Sequence, residues 1–251
     1  MKIIARHLAA ALAALGLLSL LAGPALAGIV VQGNGGTASE VDGTTFRALR
    51  VAPRPPDYSS LGCYAFSGVT GAVAAGMAAN GEILQFRWTD ATRYAVVRAI
   101  RFNGMRATTA FAAGTIDVKA SIARSWTASG SGGTALTLTG DNLSLRTSMG
   151  TTLVGDMRIA TTAALGAGTK TIDTQDLGLI ATHSSGGWNS ATPIIGSIYL
   201  PTTDLYVADT ADGSHPLVLA QNEGLVVRAT VPATGVWNAA VQIEWCEVTA
   251  Y

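Results

Sequence analysis

The chain has 251 residues with 16 basic and 16 acidic side chains, and charged residues make up only 13% of it. This length is enough for one large β domain with a buried core, and without a basic surplus nucleic-acid binding through phosphate neutralisation is not expected. Charged residues usually form about a quarter of a soluble domain, so short Gly, Ala and Thr side chains must cover much of this surface.

Residues 1–27 are typical of a secretory signal peptide. The start is positively charged, with Lys2 and Arg6, a Leu- and Ala-rich run follows, and "ALA" at 25–27 matches a cleavage site. The alternative is a membrane anchor, but a proline and glycines interrupt the apolar run, and a spanning helix needs about 20 apolar residues. We therefore expect cleavage, export and no stable membrane insertion of the mature chain.

Residues 28–57 are predicted to form an extended N-terminal arm. The stretch "GIVVQGNGGTASEVDGTTFRALRV" is rich in Gly and has few large apolar side chains, so it can scarcely bury a core of its own. Such an arm either adds a strand to its own subunit or pairs with a neighbouring copy. Residues 58–251 are predicted to form the main β-sandwich domain.

Apolar and polar residues alternate with a period of two in this main domain, which predicts β-strands. In "TIDVKASIARSW", Ile116 and Val118 face one way and Asp117 and Lys119 the other. The pattern recurs in "ILQFRW", "GLVVRATV" and "AAVQIEW", and turn-forming clusters separate these segments. A helix is the alternative within "TDATRYAVVRAI", although its β-branched content favours a strand. The predicted fold class is all-β, an antiparallel β-sandwich or jelly-roll-like fold.

The chain has two cysteines, Cys63 and Cys246. An exported protein allows them to form a long-range disulfide bond, whereas assembly in the cytoplasm would keep two free buried thiols. The sequence leaves both alternatives open. Alternation places Cys246 on the solvent-facing side with Glu244, unless a bulge intervenes or the strand is buried on both sides.

No catalytic residue, cofactor site or metal site is predicted, so we expect no enzymatic activity. The mature chain has two histidines: His183 lies beside Ser184 and Ser185 in a turn-like segment, and His215 precedes a proline. Neither forms a recognisable nucleophile–base arrangement, and no G-x-S-x-G motif occurs. No CxxC motif or Cys/His cluster indicates structural zinc.

Two acidic segments resemble ligand sites without meeting their requirements. Asp204, Asp209 and Asp212 lie in a stretch that lacks the alternating ligands and the final Glu of a calcium loop. Glu244 and Glu247 fall on opposite faces of a strand under strict alternation, so they cannot act as a carboxylate pair.

The five tryptophans divide into two groups by context. Trp88, Trp126 and Trp245 are in phase with apolar neighbours and are expected in the core. Trp188 and Trp237 lie in the turn-like contexts "SGGWNS" and "TGVWNA". They are the two aromatic candidates for exposed ligand-binding residues.

Six segments spread over the chain after Gly28 show a family likeness: "GIVVQGNGGTASEVDGTTFRALRV", "LQFRWTDATRYAVVRAIRFNGM", "SGGTALTLTGDNLSLRTSMGT", "AALGAGTKTIDTQDLG", "HPLVLAQNEGLVVRATVPATG" and "IEWCEV". Together they resemble a group of uncharacterised tailed-phage and prophage virion structural proteins. The resemblance implies a virion or phage-like particle as the location, and further copies of the chain or other virion proteins as partners. It implies no active site.

These observations lead to one expected function and two alternatives. The expected function is a non-enzymatic structural subunit of a phage-like particle that assembles through β-rich surfaces. The first alternative is an exported β-sandwich binding module or adhesin, which the signal peptide and the two turn tryptophans favour. The second, a secreted hydrolase, has no support beyond export.

Overall fold

The computed structural model describes residues 62–74, 77, 79–139, 143–145, 150–185, 202–209 and 215–249. The chain divides into two compact units, Met1–Pro56 and Asp57–Tyr251, and the described residues belong to the second. The predicted signal peptide (1–27) and the predicted N-terminal arm (28–57) therefore lie outside the described residues.

The described part of the chain is all-β and contains no helix. The segment "TDATRYAVVRAI" leads into a long strand, as its β-branched residues favour. The strands are β1 (Gly62–Val69), β2 (Gly81–Trp88), β3 (Tyr94–Thr109), β4 (Ala113–Ala128), β5 (Thr134–Ala135), β6 (Val154–Ile159), β7 (Thr169–Ser185), β8 (Thr203–Val207), β9 (Leu217–Leu219), β10 (Glu223–Thr230) and β11 (Val236–Val248).

The strands form two antiparallel sheets that pack against each other as a β-sandwich, which confirms the predicted fold class. One sheet has the order β1-β11-β3-β8, with β9 also paired to β3, and the other has the order β5-β6-β2-β10-β4-β7. The pairing is nested: β1 with β11, β2 with β10, β3 with β8 and β9, and β4 with β7. Successive pairs alternate between the sheets, which is the strand arrangement of a jelly roll.

The core between the sheets is built from the inward-facing residues of each strand. In β4, Ile116 and Val118 are fully buried, as alternation predicts. Trp245 of β11 stacks on Tyr64 with ring centroids 5.7 Å apart, and it meets the ring of Phe86 edge-on at 5.0 Å. Phe86 lies on β2 in the other sheet, so this aromatic contact joins the two layers.

Trp126 is fully buried, as predicted, but it lies outside the main core. It packs with Ala123 and Val226 in a small second cluster on the outer face of the six-stranded sheet. The alternation of β4 is broken at Ser125, which has a φ of 51°, and the pairing with β7 shifts register in the same region. This break turns the indole to the opposite face from the one that period-two counting assigns.

The insertion between β4 and β7, residues 129–168, covers one side of the sandwich. Its strand β6 pairs with the outer edge of β2. Residues 143–145 pair with the outer edge of β1: the amide of Ala65 donates to Leu143 O at 2.8 Å, and the amide of Leu145 donates to Cys63 O at 2.9 Å. The described parts of the insertion therefore cover the edge of β2 and residues 63–65 of the β1 edge, which limits their pairing with another chain.

On the other side of the sandwich, β7 and β8 are the last strands of their sheets within the described residues. The two strands touch at Gly178, where a Cβ atom would lie 1.8 Å from the carbonyl oxygen of Leu205. Only glycine fits this approach of one backbone to another.

Cys63 and Cys246 form a disulfide bond that links β1 to β11. The carbonyl of Cys63 accepts a hydrogen bond from Leu145, on the side away from β11. The two cysteines are therefore a non-hydrogen-bonded pair, in which the Cα atoms lie closer together than in a hydrogen-bonded pair. Their Cα atoms are 4.0 Å apart. Cys246 is fully buried because the last four residues of β11 are buried on both faces.

We expect the double substitution Cys63→Ala and Cys246→Ala to lower the free energy of unfolding by up to about 5 kcal/mol, because the bond closes a loop with a sequence separation of 183 residues. Urea unfolding of the oxidised wild type and the double variant measures the difference. Reduced wild type should unfold like the variant. An unfolding midpoint that neither reduction nor substitution changes would contradict a stabilising disulfide.

Candidate functional site

The histidines do not assemble a catalytic centre among the described residues. His183 is exposed on β7, opposite Thr115 of β4, and the side chains of Ser184 and Ser185 lie outside the described residues. His215 is exposed just before β9. Within the described ranges, no three His, Cys, Asp or Glu side chains come close enough to hold a metal ion.

The acidic residues take separate structural roles. Asp204 pairs with Arg101 at 3.1 Å, and Glu244 accepts from the same guanidinium at 2.5 Å on the outer face of the five-stranded sheet. Glu247 is 1% exposed and accepts hydrogen bonds from Thr152, Leu153 and Trp245 instead. Asp212 lies outside the described residues.

The outer face of the six-stranded sheet holds a second charged cluster. Ser121 donates to Asp176 at 2.6 Å, and Arg228 donates to both of them at 2.7 Å. Lys119 is 3.7 Å from the other carboxylate oxygen, and these contacts lower the pKa of Asp176 although its burial opposes the change. Ser121 is fully buried and bonded directly to the carboxylate with no intervening base, so the cluster joins β4, β7 and β10 rather than activating a nucleophile.

The interpretation of Trp237 as an exposed binding residue is wrong, and Trp188 lies outside the described residues. Trp237 has no exposed surface. The turn before it ends at Gly235, with a φ of 114°, and β11 begins at once, so Trp237 is the first inward-facing residue of the strand. Its backbone also exchanges two hydrogen bonds with Val73, at 2.8 and 3.0 Å, which fixes the side chain in the core.

Sequence analysis missed one buried polar cluster, which consists of Lys170, Glu82 and Gln85 and is named here the Lys170 cluster. Lys170 Nζ is 2.9 Å from Glu82 Oε2, and the side chains of this ion pair are only 2% and 7% exposed. Gln85 Nε2 donates to the same Glu82 oxygen at 2.6 Å. The ammonium also lies 4.4 Å from the ring centroid of Trp126, so an amine, a carboxylate and an amide meet beside an indole.

A local irregularity of β2 builds the Lys170 cluster. Residues 82 and 85 should point to opposite faces, but the pairing between β2 and β10 shifts register between Glu82 and Leu84. Ile83 and Leu84 both enter the main core, and Glu82 and Gln85 meet on the other side. Lys170 reaches them from the start of β7. No local sequence signal links a residue of β2 to one 88 positions later.

The loops that flank the insertion complete this site. Gln85 Nε2 donates to Gly166 O at 2.9 Å, and Lys170 Nζ donates to the carbonyl of Ala167. Gln85 Oε1 is buried with no hydrogen-bond partner, and the backbone of Gly130 lies against it, since a Cβ there would be 2.1 Å away. The cluster therefore hydrogen-bonds the C-terminal end of the insertion, at Gly166 and Ala167, and packs against Gly130 at its N-terminal end.

A second buried carboxylate, Glu247, holds the middle of the insertion. Its Oε1 atom accepts from the hydroxyl of Thr152 at 2.5 Å, the amide of Leu153 at 2.9 Å and the indole of Trp245 at 3.3 Å. Burial raises the pKa of Glu247, although these three hydrogen bonds oppose the change. Burial and the nearby charge of Glu247 raise the pKa of Tyr64 to about 12.

No protein-family model matches the chain, and no curated protein or solved structure is detectably similar to it. Among the described residues, no helix has the length and apolar character needed to cross a membrane.

We expect Glu247 to make the protein less stable as pH rises from the unfolded value of 4.5 through its raised folded pKa. The folded state keeps a proton there that the unfolded state has released, so the free energy of unfolding falls with pH across that interval. Glu247→Gln removes this component and keeps an acceptor oxygen. The measurement is urea unfolding of both proteins between about pH 4 and pH 8.

The informative quantity is the wild-type free energy of unfolding minus that of the Glu247→Gln variant. Carboxylates with lowered pKa values, such as Asp176, contribute equally to both proteins and cancel. The difference should become less favourable to the wild type as pH rises. A difference that is independent of pH would show that Glu247 has an ordinary pKa in the folded state.

Proposed function

We propose that the protein is a non-enzymatic structural subunit of a phage-like particle and that it associates with further copies through the edge of β7. The support is the resemblance of the chain to virion structural proteins, its low charge and a jelly-roll fold, which is used by viral capsid proteins and also by lectins. Because a fold alone does not define a function, the proposal depends on the properties of one sheet edge.

The outer edge of β7 has the features of a pairing surface. Residues 178–185 pair with 113–120 of β4 in eight consecutive registers without a bulge, so this part of the edge is regular. The stretch "GLIATHSS" contains no Asp, Glu, Lys or Arg, and Leu179 is 55% exposed. Natural edges are usually protected by bulges, charges or short length. A long, regular and uncharged edge is therefore the observation on which the proposed function depends.

The other sheet ends are less suited to association. At the ends of the two sheets, β5 has two residues and β8 has five. The first part of the β1 edge, at Cys63 and Ala65, is hydrogen-bonded to residues 143–145. The β7 edge also fits a second copy of itself, because two antiparallel copies of an uncharged segment bring no like charges together.

We expect Leu179→Lys to reduce self-association, because a lysine on each copy of the edge introduces charge repulsion and a desolvation cost. Light scattering of the purified protein over a range of concentrations measures the oligomer fraction. Val69→Lys is the matched control, since Val69 is 59% exposed and lies at the end of β1. A wild type that stays monomeric, or equal oligomer fractions in wild type and Leu179→Lys, would overturn the use of this edge.

The alternative, an exported binding module or adhesin, is favoured by one observation. The Cys63–Cys246 disulfide bond is typical of proteins that fold in an oxidising compartment. The buried position of Trp237 removes one of the two tryptophans on which a ligand platform would depend.

Cell fractionation with N-terminal sequencing separates the two functions. A chain that starts at Gly28 in the periplasm or medium, and is absent from purified particles, would support the exported module. The structural subunit should instead co-purify with particles. A chain that keeps Met1 and fractionates with membranes would contradict both proposals, because it would show an anchored protein.

A further inference from the structure

We propose that the Lys170 cluster is a modification site at which Lys170 Nζ and the side-chain carbonyl carbon of Gln85 form an intramolecular amide bond, with Glu82 as the proton carrier. The bond would join the start of β7 to β2. The proposal is independent of the β7 edge and of the compartment in which the protein works.

The geometry places the reacting groups next to each other. Lys170 Nζ and Gln85 Nε2 bind one atom, Glu82 Oε2, at 2.9 and 2.6 Å, so the two nitrogens are separated by at most the sum of these distances. Attack on an amide carbon needs an approach of about 3–3.5 Å. The two side chains therefore have to move until Lys170 Nζ reaches Cδ of Gln85 at this distance.

The reacting groups are shielded from water. The Lys170 side chain is 2% exposed, Gln85 is 1% exposed, and the indole of Trp126 lies against the amine. Transfer of one proton from the ammonium to Glu82 removes both charges at once and leaves a nucleophilic amine beside the amide.

The reaction balances without an oxidant or a co-reactant. Glu82 takes one proton from Lys170, and the nitrogen lone pair then attacks Cδ of Gln85 to form a new C–N bond. Glu82 then gives its proton to Nε2 and takes a second proton from the attacking nitrogen. The bond between Cδ and Nε2 breaks, and Nε2 leaves as ammonia. General acid–base transfer by one carboxylate in contact with both nitrogens performs both proton steps.

The unsatisfied carbonyl of Gln85 is an independent indication that this amide is unusual. Its Oε1 atom is buried without a hydrogen-bond donor, which is rare and costly in a native interior. Gly130 packs directly against this oxygen, so the chain there leaves no space for a side chain. The amide is thus held by its nitrogen alone, at Glu82 and at Gly166 O.

The test is high-resolution mass spectrometry of the reduced, denatured full chain, followed by tryptic peptide mapping. The wild type should be lighter than its sequence by one ammonia. The peptide that contains Gln85 should be joined to the one that contains Lys170, with no cleavage after Lys170. Lys170→Arg and Glu82→Gln should each restore the full sequence mass. Lys119→Arg is the matched control and should keep the mass loss, because Lys119 lies in the other charged cluster.

The wild-type measurement decides the proposal even where a variant fails to fold. A wild-type chain of unmodified mass with free peptides would overturn it and leave Lys170 and Glu82 as an ion pair. A loss of one water instead of one ammonia would also overturn it, because that product would be an amide between Lys170 and Glu82. Persistence of the mass loss in a folded Glu82→Gln variant would remove Glu82 as the proton carrier.

Discussion

The structure depends on the burial of one aromatic core between two sheets. Each sheet pairs strands from the beginning of the sandwich domain with strands from its end. The contact between Phe86 and Trp245 joins β2 in one sheet to β11 in the other. Neither sheet has a covered inner face without its partner, so the nested pairs must form together. Because the outermost pair is β1 with β11, the fold closes only when the two ends of the body meet. The disulfide bond lies across that same pair, where it restricts the unfolded chain most.

Buried charge occurs where the insertion is attached to the sandwich. Glu247 binds its middle through Thr152 and Leu153, and the Lys170 cluster binds its C-terminal end through Gly166 and Ala167. Burial of a charged group is unfavourable because the group loses its hydration, and only well-placed partners offset this loss. Removal of one partner from a buried ion pair typically costs about 3–5 kcal/mol. Glu247 and the Lys170 cluster act together with the apolar residues of the insertion, since Val154, Met157 and Ile159 are buried in the main core.

The sequence predicted the strands and the all-β class because period-two alternation is a local property, as in Ile116 and Val118 of β4. It could not show which strands pair, since that depends on contacts between distant segments. Two irregularities also defeated alternation. The positive φ of Ser125 within β4 placed Trp126 on the outer face, and the register shift in β2 brought Glu82 beside Gln85. Trp237 was misplaced because a turn that ends at Gly235 passes directly into a strand.

The distribution of edges limits what kind of assembly this body can make by itself. When two copies pair through the same edge, neither copy has that edge free for a third, so association through β7 alone would stop at a dimer. A shell or tube needs a second, different contact, and in the described residues the insertion covers the β2 edge and residues 63–65 of the β1 edge. A particle subunit of this design would therefore have to use sheet faces or loops for its remaining contacts. The ion pairs that Arg101 makes with Asp204 and Glu244 show that the outer face of the five-stranded sheet is polar. Contacts through that face would be salt-sensitive, whereas pairing through the uncharged β7 edge would not.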